Sequence, residues 1–308
     1  MRLGVLDIGS NSVHSLVVDA HYGAAPTPAH KSKVELRLAQ LADAQGVISA
    51  AAIERLISFI VESQATSEQL GVSQTIACAT SAIRDAPNQA ELCQTVESAT
   101  GITIDVLSGE VEAELTFLAA RRWVGWSAGR LMVVDIGGGS LELAVGNDEE
   151  PDSAVSLPLG AGLLTRQFVH ADPPEATEIK ELRKYIRTEI ASTVSRLSKG
   201  EKPQAFVGTS KTLKQLARIA GAPDSAAGIY TQRRLSLRGV AEILDQLATM
   251  SDAQRRSLPG VSAGRSGQML AGALVAEAAM ELFHVDSLVI CPWALREGVI
   301  LRSMDSMS

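Results

Sequence analysis

The chain has 308 residues, a formal net charge of −7 and 46% hydrophobic residues, so it can bury a large core and is expected to form two domains. The acidic balance argues against general nucleic-acid binding, which wants a basic face. Cys78, Cys93 and Cys291 are scattered and lack a CxxC spacing, which indicates neither a disulfide framework nor a zinc site.

The amino terminus enters a strand within two residues, leaving no room for a signal peptide. The long apolar run 269–283 carries Glu277 and Glu281 and is shorter than a membrane span. A soluble cytoplasmic protein without membrane or nucleic-acid partners is expected.

The first predicted element is a hairpin over residues 3–18, in which an apolar strand ends in Asp7-Ile8-Gly9-Ser10-Asn11-Ser12 and a second apolar strand follows. A turn-rich link covers residues 22–28, and residues 30–41 alternate enough to predict a third strand. Ser49 opens a helix carrying Ile53, Leu56, Ile57, Ile60 and Val61 at helical spacing, and Gly71 stops it. Residues 74–79 predict a short buried strand, ending in Thr80-Ser81-Ala82-Ile83-Arg84-Asp85. A guanidinium there suits two parallel hydrogen bonds to phosphate; an ion pair between Arg84 and Asp85 is the competing reading.

Residues 102–107 predict another strand, and Ser108 is an N-cap candidate for the helix that carries Glu110, Glu112 and Glu114. Glu110 and Glu114 share one face while Glu112 looks elsewhere. A carboxylate near a helix start can hold and deprotonate a water; three solvated acids favoured by the helix dipole is the alternative. Residues 123–129 have the small, turn-forming character of a lobe boundary.

A second hairpin over residues 131–145 repeats the first, with Asp135-Ile136-Gly137-Gly138-Gly139-Ser140-Leu141-Glu142 at its centre. Glycines leave backbone N–H groups unobstructed to cradle phosphate oxygens, and Asp135 at the end of a buried strand suits a magnesium and phosphate site. Two such hairpins about one domain length apart predict two similar lobes facing a cleft.

A polar turn at 147–152 leads to a strand at 154–159, and Gly160-Ala161-Gly162 opens a helix. Helical spacing returns over 175–197. Residues 205–212 again read as strand, small polar turn and helix, with Gly208, Thr209, Ser210 and Lys211 suited to an anionic ligand or to simple helix capping. Gly260-Val261-Ser262-Ala263-Gly264-Arg265-Ser266 departs from the P-loop pattern in spacing and in its arginine. Arg265 still stands near the start of a long helix over 268–283, within reach of a phosphate. A strand at 287–291 and a helix at 294–304 follow.

The two Asp-Ile-Gly hairpins and the strand–turn–helix segments resemble the actin-like ATPase superfamily. Asp7 to Ser12, Thr80 to Arg84, Ser108-Gly109 with Glu112-Ala113, Asp135 to Ser140 with Glu142, Gly208-Thr209-Ser210 and Leu295-Arg296-Glu297-Gly298 are similar, in that order, to the exopolyphosphatase/guanosine pentaphosphate phosphohydrolase (Ppx/GppA) family. The resemblance spans essentially the whole chain. It implies an α/β protein of two actin-like (ribonuclease H-like) domains, 1–125 and 126–308, each a mixed sheet flanked by helices. The active site would lie in the cleft between them, and the last helix is free to return to the first domain.

By resemblance, Glu112 is the general base that activates water. Asp7 and Asp135 bind or orient magnesium, for which manganese is an alternative, and Glu142 borders them. Arg84 and the turns Gly9-Ser10-Asn11-Ser12, Gly137-Gly138-Gly139-Ser140 and Gly208-Thr209-Ser210 hold phosphates. Phosphoryl transfer suits this set, since its catalysis is mostly positioning and charge neutralisation.

Three departures qualify the resemblance. Val111 stands where many relatives have a glutamate, which leaves Glu110 as second choice for the base. Lys211 stands where glycine is common. The chain stops before the extra helical domain of longer relatives, so short inorganic polyphosphate is the expected substrate. Hydrolysis of guanosine pentaphosphate is the enzymatic alternative, and a non-catalytic nucleotide or polyphosphate sensor the second. The resemblance also implies a homodimer.

Overall fold

A computed structural model describes residues 1–43 and 45–307. They form two compact units, Met1–Val111 with the closing segment from Arg296, and Glu112–Leu295.

In the first unit, β1 (Arg2–Ile8) and β2 (Val13–Asp19) form the first predicted hairpin, and β3 (Pro28–Val34) extends it antiparallel. β1 buries Leu3, Val5, Leu6 and Ile8, the near-continuous apolar run of a strand covered on both faces. Helix α1 (Ala50–Gln69) starts where Ser49 accepts the Ala52 N–H. β4 (Gln74–Ala79) then lies parallel to β1, and α2 (Ser81–Arg84) and α3 (Gln89–Thr100) precede β5 (Ile104–Val106), parallel to β4. The sheet order is β3-β2-β1-β4-β5. Leu56 and Ile60 of α1 and Leu92 and Val96 of α3 share one core with Ile8, Val13 and Ala79. Fully burying each large aliphatic side chain contributes about 2 kcal/mol.

The third strand ends at Val34, short of the predicted 41, for a physical reason. Arg37 takes the left-handed conformation (φ +52°), and a 3₁₀ turn Leu38–Gln40 follows. This bend brings the Arg37 and Ala39 N–H groups to the carbonyls of Asn11 and Ser10, at 3.0 and 3.5 Å.

Helix α4 (Gly109–Val124) begins with Ser108 accepting the Val111 N–H at 3.2 Å. In the second unit β6 (Leu131–Ile136), β7 (Leu141–Gly146) and β8 (Ser153–Leu157) form a meander. Helices α5 (Ala161–Phe168) and α6 (Ala176–Leu197) lead to β9 (Ala205–Thr209), parallel to β6, and then to α7 (Ser210–Ile219). β10 (Arg234–Ser236), α8 (Leu237–Leu247), α9 (Asp252–Arg255), α10 (Met269–Leu282) and β11 (Ser287–Ile290) complete it. The sheet order is β10-β11-β9-β6-β7-β8. An antiparallel meander followed by two parallel strands is thus common to both sheets, one meander ending in β3 and the other in β8, and the second sheet closes with β10 antiparallel to β11.

β10, α8 and α9 are absent from the elements predicted above, although their signals are present. Ser236 caps α8 by accepting the Gly239 N–H at 3.0 Å, and Val240, Ile243, Leu244 and Leu247 are its buried face. The apolar run at 269–283 is the core helix of this unit: every residue of α10 from Met269 to Met280 is buried. Among the described residues no helix is long and apolar enough to cross a membrane.

Candidate active site

The glycine-rich turn of the second unit is tied from behind. Gly137 N–H bonds to Ser140 O at 2.9 Å, closing the turn. The N–H of Ala161 reaches Gly137 O at 3.0 Å, and those of Gly162 and Leu163 reach Gly138 O at 2.9 Å each. A trans peptide points its C=O and N–H in opposite directions. Fixing the two carbonyls on the start of α5 therefore aims the Gly138 and Gly139 N–H groups away from that helix, as an anion cradle requires. Gly160 makes this approach feasible, because a Cβ there would lie 2.2 Å from Gly139 C and 2.4 Å from Ser140 N.

Two carboxylates flank this turn. Asp135 and Glu142 face each other across β6 and β7 and are 8% and 3% exposed. Burial, then the neighbouring Glu112 and Asp135 carboxylates, hold the Glu142 carboxyl well above the ordinary carboxylate range, against the hydrogen bonds of Ser140 and Ser156; Ser156 Oγ donates to Glu142 Oε1 at 2.9 Å. Burial also raises Asp135, opposed by the adjacent Thr209 hydroxyl and the charges of Lys214 and Arg265. Thr209 Oγ1, fully buried, lies beside Asp135 without completing a well-formed hydrogen bond. On α4, Glu112 and Glu114 are half-buried while Glu110 is exposed.

The β9–α7 turn joins the same cluster through sheet register, since Asp135 pairs with Thr209 and Val134 with Gly208. Ser210 is held at φ +77°, a conformation costly for a residue with a Cβ and concentrated at functional sites; its Oγ accepts the Leu213 N–H at 3.3 Å. Lys211 is exposed. Lys214, one turn on, donates to Pro292 O at 2.8 Å and its charge reaches Asp135. Arg265 Nη1 donates to Thr212 Oγ1 at 3.4 Å.

The first unit repeats the device with different parts. Gly9 N–H bonds to Ser12 O at 3.1 Å, and the carbonyls of Ser10 and Asn11 are taken by the backbone at 37–39. The same peptide geometry turns the Asn11 and Ser12 N–H groups outward. Ser10 Oγ meets Ser81 Oγ at 3.1 Å. Asp7 Oδ2 lies 3.3 Å from Arg296 Nε, Arg296 Nη1 lies 3.1 Å from His14 Nδ1, and His14 Nε2 lies 3.0 Å from Ser12 Oγ. Arg84 makes the ion pair with Asp85 at 3.2 Å and also donates to Leu107 O at 3.2 Å.

Within the second unit the structure therefore groups Glu112, Asp135, Glu142, Thr209 and Arg265 with the Gly137 to Ser140 turn. Within the first it groups Asp7 with the Gly9 to Ser12 turn. Five contributors escaped the sequence reading: Lys214, Ser156, Gly160, His14 and Arg296. Gly160 had a visible signal in its Gly-Ala-Gly run, and Arg296 in the Leu295 to Gly298 motif; the other three became visible only through strand register and helix phase.

The Ppx/GppA phosphatase family pattern matches residues 16–307. Exopolyphosphatase 1 of Mycobacterium tuberculosis is 48% identical over 306 residues, covering 99% of this chain and 89% of that protein. Exopolyphosphatase 1 of Mycobacterium leprae is 46% identical, with 99% and 90% covered. A solved structure of the Aquifex aeolicus PPX-GPPA enzyme has 26% identity and a TM-score of 0.82 over 98% of this chain and 99% of that one. An exopolyphosphatase from Cytophaga hutchinsonii, at 23% identity, shares the fold with a TM-score of 0.88 over 99% and 98%.

Proposed function

The chain belongs to the Ppx/GppA phosphatase family, and on that premise we propose that it is an exopolyphosphatase, releasing the terminal phosphate of inorganic polyphosphate. The observation that carries the reading is the second-unit cluster, in which buried carboxylates stand beside an outward-facing N–H cradle and the charges of Lys214 and Arg265. The names of the mycobacterial relatives support the substrate class.

In this reading Glu112 accepts a proton from the attacking water. Its half-buried position and its electrostatic contact with Glu142 favour it over the exposed Glu110. The N–H groups of the Gly137 to Ser140 turn, with Arg265, hold terminal phosphate oxygens, and Gly9 to Ser12 offers a similar cradle in the first unit. No covalent intermediate is needed, because positioning and charge neutralisation supply most of the catalysis in phosphoryl transfer.

The donor set fits a hard divalent cation. Asp135 and Glu142 are oxygen donors whose mutual repulsion and burial a cation would offset. Among the described residues no cluster of three or more His, Cys, Asp or Glu is assembled for a metal; magnesium needs only one or two carboxylates, with waters and substrate oxygens completing its shell. Magnesium, or manganese in its place, would be held in the second unit by Asp135 and Glu142; for Asp7 in the first unit a role toward the cation rests on the family resemblance alone. When bound, such a cation neutralises charge on the phosphate oxygens. The three cysteines, none of them in a disulfide, suit a reducing cytoplasm, and the homodimer rests on the resemblance, with light scattering as its check.

The test is phosphate release with magnesium or manganese from short polyphosphate, long polyphosphate and guanosine pentaphosphate. Release from polyphosphate in preference to the nucleotide is expected. Preference for guanosine pentaphosphate would replace the proposed substrate, and release from neither would leave a binding protein in place of an enzyme.

A further inference from the structure

In the first unit two side chains, His14 and Arg296, join Ser12 to Asp7 and have no work in the roles above. Ser12 Oγ lies 3.0 Å from His14 Nε2, His14 Nδ1 lies 3.1 Å from Arg296 Nη1, and Arg296 Nε lies 3.3 Å from Asp7 Oδ2. A guanidinium has five N–H donors and no acceptor. The imidazole nitrogen that meets it must therefore present a lone pair, and a neutral ring with its lone pair on Nδ1 carries its hydrogen on Nε2. That hydrogen is donated to Ser12 Oγ. A hydroxyl that accepts from His14 keeps its own hydrogen for a different acceptor.

The opposite tautomer gives the opposite result. A hydrogen on Nδ1 would confront an Arg296 N–H, and Ser12 would have to turn its own hydrogen inward to Nε2. Arg296 selects between the two, and Asp7 holds Arg296 by charge from the adjacent strand.

We propose that His14 and Arg296 are positioning residues that set Ser12 as a hydrogen-bond donor to a phosphate oxygen of the substrate. This rests on the reading of Gly9 to Ser12 as a phosphate turn. Its distinguishing feature is that two side chains with no assigned contact to phosphate decide the polarity of one that has such an assignment.

The ring tautomer is read directly by nitrogen-15 NMR of the imidazole in the full chain, without reference to activity. The Nε2–H form is expected, with Arg296→Met shifting the ring toward a mixture; an Nδ1–H ring in the unaltered chain, or no change in Arg296→Met, would overturn the proposal. The kinetic arm compares His14→Gln, which keeps an N–H donor near the Nε2 position, with His14→Asn, which does not. A donor to a charged phosphate is worth about tenfold to a hundredfold in affinity. KM for polyphosphate should therefore rise by about that factor in His14→Asn, with kcat changed little, and stay close to the unaltered value in His14→Gln. Equal KM increases in both variants would mean mere packing and overturn it. Should no substrate be turned over, calorimetric binding of tripolyphosphate takes the place of KM, so failure of the enzymatic reading and failure of this one remain distinct.

Discussion

Glu142 is a carboxylate that the fold keeps out of water and beside two others, and its folded-state affinity for a proton is raised accordingly. Between the ordinary carboxylate range and that raised value the folded chain binds the extra proton and the unfolded chain does not. Its contribution to stability is therefore complete at low pH and is lost as pH rises through the window. Glu142→Gln keeps a partner for Ser156 and removes the charge, so in chelator-treated protein at pH 8 its thermal midpoint should exceed that of the unaltered chain by a few degrees. The difference should disappear near pH 4, as thermal melts at the two pH values will show. Exposed Glu110, by contrast, should tolerate Glu110→Ala with kcat/KM changed by less than about threefold. Helix periodicity separates Glu110 from Glu112 in the sequence alone. Which of the two faces is buried is decided by partners distant in the chain, and only the family resemblance pointed to Glu112.

At each of the two hairpin turns, a segment later in the chain claims the turn's carbonyls. The start of α5 does so for Gly137 and Gly138, and residues 37–39 do so for Ser10 and Asn11. Gly160→Ala should force the Gly139 backbone to move, costing about 1–3 kcal/mol of stability and about a hundredfold in kcat/KM, measured by denaturant titration alongside phosphate release. A cap remote from the carboxylates provides contrast: Ser236→Ala should cost about 1 kcal/mol and leave kcat/KM unchanged. The hairpins themselves were legible because apolar strands flank a fixed Asp-Ile-Gly pattern. The segments behind them were not, since Arg37 is an ordinary exposed-looking residue until its backbone is bent to reach Asn11. Alternation alone made residues 30–41 look like one uninterrupted strand.

Both units share a three-stranded meander whose first strand is followed outward by two parallel neighbours, and the second sheet adds the antiparallel edge strand β10. This is the physical content of the repeated motif: the same topology places an Asp at the end of the first strand of each meander and a small-residue turn after it. Two-domain character and the α/β class could be read from length and repetition, whereas β10 and α8 were passed over despite a sound cap and spacing. The chain also brings Arg296, far from the first hairpin in sequence, into contact with Asp7 and His14, and nothing short of the folded topology announces that pairing.

Hydrolysis of polyphosphate with Glu112 as the base is decided by Glu112→Gln, with phosphate release and tripolyphosphate binding measured on the same preparation. Loss of a general base predicts a fall in kcat of about 10²- to 10⁴-fold with affinity kept within a few-fold. A Glu112→Gln variant that releases phosphate at the rate of the unaltered chain would mean that Glu112 is not the base.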